Sequence, residues 1–389
     1  MSAFQFSTNT FAGEFDPTEI IAALLLSADT LNRNLVSVDT GVKNKLTRRE
    51  ADTDIELQAW NEDFVGQAGN PSDDEYTLEP VKYMYNQKWS FESLRTTWES
   101  EQMAPGTFND YKGSPEMFNW LLNRISEKMA IAHEKLIWTG KANTPEATFP
   151  EAYPGLLNQV ISASNSVKLQ INNGRITITD ISQAAQAVVT HASGENANVN
   201  IGDQVTFVGV VGMVEINGLS AEVVDKTATT TVVDLDTSAF TAYASGGLIE
   251  YINSSNFLSV LNNLWVRTPR AVKKRDDFKI YAPAYLEDQL DTIYINAASQ
   301  VGASAFMQDV INKIMGKVEW MEYFQPNTML STYVNNLSYA IDGEGEDQNL
   351  QILDMYATLG NKNYRVMTDI KSTTGVKKPY ECVMIRPAA

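Results

Sequence analysis

The chain has 389 residues, 43% of them hydrophobic, which is enough for a large core and for more than one folded unit. Its 48 acids against 30 bases give a formal charge of −18, which argues against a protein built to grip nucleic acid or an anionic membrane. A single cysteine, Cys382, excludes an intramolecular disulfide, and with only two histidines beside it no zinc site and no Cys-His or Ser-His-Asp constellation is plausible.

The first fifteen residues are polar and aromatic. No Lys or Arg precedes Arg33, and the apolar run from Ile20 to Leu26 is too short to cross a bilayer. Neither a signal peptide nor a membrane anchor is expected, and synthesis is expected in a reducing cytoplasm. Asp16, Pro17 and Glu19 open a helix with Ile20, Ile21, Leu24 and Leu25 on one side. Residues 1–50 thus read as an arm, with too little apolar surface to stand alone.

In residues 51–100 two alternating runs predict a hairpin: Ile55, Leu57 and Ala59 against Asp54, Glu56 and Gln58, then Leu78, Val81, Tyr83 and Tyr85. Between them GQAGNPSDDE is turn chemistry. Residues 51–79 hold nine acids and no base, so the hairpin is expected to seek a basic partner surface.

Residues 101–171 are organised by one long helix, predicted from Ser114 as N-cap and Pro115 at the first position to a stop at Gly140. Phe118, Leu121, Leu122, Ile125, Met129, Ala132 and Leu136 recur on one face, with Arg124, Glu127, Lys128 and Glu134 elsewhere. From 115 to 139 such a helix runs about 37 Å. His133 on it reads as a packing or surface histidine rather than a base.

Residues 172–252 change texture to short β-prone runs between turns, VTFVGV, AEVVD, TTTVVDLD and GGLIEYI, which suit a small closed barrel or sandwich inserted into another domain. Residues 253–325 are mixed α/β: a helix over Asn256–Val266, the bases Arg267, Arg270, Lys273, Lys274 and Arg275, a strand FKIYAP and a helix AYLEDQLDTIY. That basic cluster is a solvated surface or a subunit contact. Residues 326–389 read as strands around a polar turn whose Asp342, Glu344, Glu346 and Asp347 match no EF-hand spacing. No phosphate loop, dinucleotide fingerprint or singled-out carboxylate pair occurs, so no cofactor, no metal and no catalysis is expected.

Taken in this order, the arm, the acidic hairpin, the long helix ending HEKLIWTGK, the PGLL loop, FKIYAPAYLEDQL and the terminal strands resemble the major capsid proteins of tailed bacteriophages. The resemblance implies an α+β chain of the Hong Kong 97-type capsid fold. Its parts would be an N-arm, an extended β-hairpin loop, a peripheral domain with a spine helix and an axial domain, here with a small all-β insertion. The run NIGDQVTFVGVVGMVEINGLSAEVVD with AYASGGLI is in turn similar to the first catalytic cysteine half-domain of ubiquitin-activating enzymes; no cysteine lies in it, so no thioester chemistry is implied.

The resemblance further implies a virion protein that assembles with itself into hexamers and pentamers of an icosahedral shell. Scaffolding, portal and head-decoration proteins would be its partners, and it would enclose double-stranded DNA without reading its sequence. Expected interface residues are Asp54, Glu56, Trp60, Glu62, Phe64, Tyr83 and Tyr85 of the loop, answered by Lys273, Lys274 and Arg275, or by Lys43, Lys45, Arg48 and Arg49. Some members of the fold weld subunits through a loop lysine. Residues 51–79 contain none, so assembly is expected to be noncovalent. A tail or decoration protein and an encapsulin-like compartment remain as alternatives.

Overall fold

The structure is a computed structural model and describes residues 29–42, 44–52, 72–90, 128–141, 152–171, 173–298, 314–341, 351–354 and 363–388. The chain forms two compact units, Met1–Leu156 with Leu337–Lys377, and Leu157–Asn336 with Lys378–Ala389.

In the first unit the strands β1 (Ser37–Asp39), β2 (Leu46–Asp52), β3 (Ser72–Leu78), β4 (Val81–Ser90), β15 (Leu337–Ile341), β16 (Gln351–Asp354) and β17 (Asn363–Val376) are described. β17, NYRVMTDIKSTTGV, has no proline to interrupt a ladder and can serve neighbours on both edges. One edge takes β4 antiparallel, from Ser90 opposite Asn363 to Val81 opposite Ser372. The other is shared by β15, with Leu337 opposite Val376, and β16, with Gln351 opposite Met367. β1 adds parallel to β15.

β2 and β3 form a separate antiparallel ribbon, Leu46 opposite Leu78 and Asp52 opposite Ser72. Its root packs Val42, Leu78 and Ala340 together. Thr47 and Thr77, opposite one another, are exposed, and Lys45 meets Glu79 at 3.0 Å in solvent.

This pairing corrects the expected hairpin. Leu78 and Val81 are not on one strand, because the chain breaks at Glu79-Pro80 and Pro80 has no amide to continue a ladder. β3 then pairs with β2, while β4, with Tyr83 and Tyr85, pairs with β17. The described first arm is Leu46–Asp52, ahead of the expected run over 54–59, which lies outside the described residues. Arg48 and Arg49 are therefore on the ribbon itself, in register with Tyr76 and Glu75.

Among the described residues the helices of this unit are α1 (Asp29–Asn32) and α2, described over residues 128–139; the expected helix from Ser114 to that point lies outside the described residues. Leu136, Ile137 and Trp138 are buried. Gly140 ends α2 where a Cβ would stand 2.6 Å from the Tyr153 carbonyl, so only glycine lets the two segments meet. Two expected positions are exchanged: Ala132 is exposed and Glu134 is buried. Glu134 is enclosed because it has donors to meet: the Thr30 amide at 3.1 Å, the Trp138 indole at 3.1 Å and the Thr30 hydroxyl.

The second unit opens with α3 (Leu156–Ser162) and β5 (Val167–Gln170). Its sheet runs β13 (Val318–Met321), β12 (Phe278–Pro283), β14 (Met329–Tyr333), β18 (Val383–Arg386), β5. The expected FKIYAP strand is the second strand of this sheet. α4 (Phe257–Arg267) and α6 (Tyr285–Ala298) add Phe257, Val260, Leu261, Leu264, Leu286 and Leu290 to its core, and the short α5 (Arg270–Lys273) adds Val272.

Inserted between β5 and α4 is a closed barrel of β6 (Arg175–Ile181), β7 (Ala187–His191), β8 (Gln204–Val211), β9 (Ser220–Lys226), β10 (Thr230–Val233) and β11 (Ser245–Tyr251), in the order β10-β7-β6-β11-β8-β9. Closure leaves no free edge. Ile176, Val189, Phe207, Val223, Val233 and Ile249 alternate inward and fill it. β6 and β7 have no counterpart among the expected strands. At the barrel's base buried Asp203 accepts hydrogen bonds from the Asn200 amide at 2.7 Å and from Asn253 Nδ2 at 2.6 Å, and Gln289 Nε2 of α6 reaches it at 3.2 Å.

Candidate functional site

Among the described residues no three His, Cys, Asp or Glu side chains are placed to hold a metal ion, and no helix is long and apolar enough to cross a membrane. Cys382, His191 and His133 each hold a structural hydrogen bond. Cys382 is buried, its thiol pushed up to about 12 by burial, with Asn336 Nδ2 donating to Sγ at 3.2 Å. His191 donates from Nδ1 to the Ala192 carbonyl at 2.9 Å, so Nε2 accepts from the Thr231 hydroxyl at 3.0 Å.

His133 sits in a buried polar chain of the first unit. Ser372 Oγ donates to the Tyr153 hydroxyl at 3.2 Å, so it accepts from the Tyr83 hydroxyl at 3.0 Å. Tyr83 in turn accepts from His133 Nδ1 at 3.1 Å, which leaves Nε2 to accept from the Tyr339 hydroxyl. The chain therefore fixes the Nδ1 tautomer. Burial lowers the imidazole to about 4 and raises the Tyr83, Tyr153 and Tyr339 phenols above their ordinary value. A neutral ring with both nitrogens engaged is a strut between α2 and two strands.

Of the expected interface residues, Asp54, Glu56, Trp60, Glu62 and Phe64 lie outside the described residues. Tyr83 spends its hydroxyl inside its own unit. Tyr85 stands on β4 opposite Thr368. Lys43 is outside the described residues, and Lys45 is paired with Glu79.

Of the basic cluster, Lys273 donates to the Trp265 carbonyl at 2.8 Å with its ammonium 5.1 Å from the Trp265 ring centre. Arg275 stacks on Tyr333 at 3.8 Å and faces Asp277 at 3.6 Å. Two of the three expected cations are thus engaged within the chain. Lys274 is exposed, as are Arg267 and Arg270 nearby.

A buried acid with no local sequence signal is Glu250 of β11. Arg175 Nε stands 2.6 Å from its Oε1 as an ion pair outside hydrogen-bond alignment, and the Ala388 amide donates to Oε2 at 2.6 Å. The C-terminal segment is thereby tied to the barrel.

No curated protein matches the sequence. Among solved structures the chain is similar to a subunit of the satellite phage P4 procapsid that includes the size determination protein, with a TM-score of 0.47 and 13% identity over 98% of this chain and 93% of that one. It is similar to the capsid of Myoviridae phage XM1, with a TM-score of 0.46 and 10% identity over 99% and 96%. For a virus-like particle from Pyrococcus furiosus the TM-score is 0.43, with 9% identity over 95% and 98%. The inserted barrel has its own match: residues 184–253 fit the family model of the ubiquitin-activating enzyme E1 FCCH domain, and the barrel is similar to that domain.

Proposed function

We propose that the chain is a shell-forming major capsid protein of a tailed phage, with the Hong Kong 97-type architecture, whose copies meet as hexamers and pentamers around double-stranded DNA. The observation that carries this reading is the ribbon β2–β3. Next to its root pair, Leu46 and Leu78, it exposes Thr47 and Thr77, and it leads into residues 53–71 with Asp54, Glu56, Trp60, Glu62 and Phe64. A two-stranded ribbon by itself is marginal in water, so it gains its stability from a neighbour. The order of the remaining parts supports the same reading: a helix closing on Gly140, a sheet completed by the last strands, an α/β unit and an inserted barrel.

In this reading the side chains pack and no bond is made or broken by them. The acidic loop meets exposed bases of an adjacent copy, foremost Lys274 with Arg267 and Arg270, while Trp60 and Phe64 supply apolar contact. Each exposed ion pair contributes only about 0 to 1 kcal/mol, so strength comes from repetition, and weak contacts let misplaced copies leave. The barrel stands on the outer face, where its volume does not compete with DNA. The net charge of −18 keeps the inner wall from adhering to the DNA.

Electron microscopy of the chain expressed with its scaffolding partner tests the proposal: closed shells are expected, and tubes, spikes or isolated monomers would replace it with a tail or decoration role. Reversing Asp54, Glu56 and Glu62 to Lys should abolish the shells. Denaturing gels of mature particles should give a monomer band; a ladder of covalent multimers would overturn noncovalent assembly. Antibody against the barrel should label intact particles.

A further inference from the structure

β5 is the terminal strand of its sheet, parallel to β18, with Val167 opposite Val383 and the Val167 amide donating to the Cys382 carbonyl at 3.2 Å. In a parallel pair that alternation spends the backbone of Val167 and Leu169 on β18 and turns that of Lys168 and Gln170 to the open edge. Edges are often guarded by a lysine. Here the guard is folded away, Lys168 Nζ donating to the Ala163 carbonyl at 2.7 Å.

Beside this edge lies a cavity of about 390 Å³, lined by Gln170, Asn173, Val260, Ile385 and the α4 stripe Ser259, Asn262, Asn263 and Val266. The stripe follows the 3.6-residue period, so these side chains form one continuous wall. Val266 is 64% exposed, an apolar residue with nothing over it among the described residues. No lining residue is charged. The groove thus offers unused strand hydrogen bonds on one side, amides on the other, and one exposed apolar side chain, Val266, above the buried Val260 and Ile385.

We propose that this groove takes an extended segment of a second copy of the chain, residues 3–12, as an added strand beside β5. This rests on the shell reading and says which surfaces meet within it. The cation touching the lining, Arg175 on Gln170 Oε1 at 3.1 Å, is already paired with Glu250, so a charged strand would lose its hydration against amides and the occupant has to be uncharged. Met1–Gly13 has no charged side chain; the first is Glu14. Phe4, Phe6, Thr8 and Thr10 fall on one face of an extended chain, all aromatic or β-branched, with Gln5, Ser7, Asn9 and Phe11 on the other. The phenyl rings suit the exposed Val266, and main-chain bonds to Lys168 and Gln170 give the affinity. Residues 1–28 precede Asp29 and span up to roughly 90 Å when extended, which reaches a neighbouring copy.

The test places a photoreactive benzophenone amino acid at Val266, and separately at Asn262, in the full chain, and irradiates assembled material. The expected product is a band at twice the monomer mass whose mapped partner is residues 3–12, reduced at least tenfold when Phe4 and Phe6 are both changed to Asp. No adduct at either position, an adduct at monomer mass, an adduct to another segment or to a host protein, or a yield unchanged by the Asp substitutions would overturn the proposal. Microscopy of the same samples reads the shell proposal separately. Normal particles without the adduct sink the groove alone, and absence of particles sinks the shell.

Discussion

Asn327 Nδ2 donates to Thr206 Oγ1 at 3.0 Å, fastening the segment before β14 to the base of the barrel. The same amide donates to the Gln204 carbonyl at 3.0 Å, and its Oδ1 accepts from the Ile252 amide at 2.7 Å and the Tyr285 hydroxyl at 2.9 Å. One buried side chain therefore joins β8, the end of β11 and α6. Its backbone has φ of 55°, a left-handed conformation that asparagine tolerates better than most residues.

Replacing Asn327 by Ala should consequently cost about 3 to 5 kcal/mol, the sum of stranded buried partners and a strained φ. Asn327→Gly removes the amide but not the permissive backbone, and should cost about 1 kcal/mol less. Urea titrations of both variants decide it. Losses under about 1 kcal/mol in both would remove the fastening role, and equal losses would remove the backbone part.

The same residue marks a limit of what sequence reading reaches. Asn327-Thr328 reads as ordinary loop chemistry, and nothing local says that its partners are Gln204, Thr206 and Ile252. Periodicity fares better where an element's own residues decide its place: FKIYAP followed by AYLEDQLDTIY is the β12–α6 pair, and turn-rich texture bounds the barrel. It fails where burial depends on a distant donor. Glu134 was assigned to the polar face and is enclosed because Thr30 and Trp138 meet it. The strand expected through Leu78, Val81, Tyr83 and Tyr85 passes over Pro80, a local stop that a stricter reading uses, whereas the pairing of β4 with β17, nearly 280 positions on, has no local sign.

Acid should destabilise the first unit through His133. Its folded value of about 4 lies below the ordinary 6.5, so the unfolded chain binds the extra proton first. The contribution is intact above about pH 6.5 and is lost as pH falls to about 4, where the loss levels off at roughly 3 kcal/mol. The groups facing the ring are the neutral phenols of Tyr83 and Tyr339, which cannot compensate a charge. Glu134, raised by burial, works in the opposite sense, gaining as pH falls. Urea midpoints of the parent and His133→Gln across this range isolate the histidine. The difference between them should shrink towards pH 4, and a constant difference would refute the assignment.

Gly155→Ala should damage the close of α2. An added Cβ would stand 2.6 Å from the Gly140 nitrogen and 2.7 Å from the Trp138 carbonyl, both backbone, and the Gly155 amide donates to the Gly140 carbonyl at 2.8 Å. Neither neighbour is a flexible side chain, so the segments must part. A loss of about 2 to 3 kcal/mol is expected, read as a lowered thermal midpoint. An unchanged midpoint would mean that this contact is looser than the geometry requires.

The barrel should fold when cut out as residues 173–253. Its core is its own and its sheet is closed, so excision opens no edge. The entry and exit also lie side by side: the Tyr251 amide donates to the Gly174 carbonyl at 3.0 Å, the arrangement that lets a domain be inserted without pulling its host apart. Excision strips Gln289 from Asp203 and Asn327 from Thr206, but water reaches those groups once the base is bare. A single cooperative thermal transition is expected, below that of the barrel within the full chain. Gly174→Ala should lower it further, since a Cβ there would stand 2.2 Å from the Tyr251 carbonyl and force entry and exit apart. A fragment with no cooperative transition would show that the base contacts, rather than the enclosed core, hold the strands together.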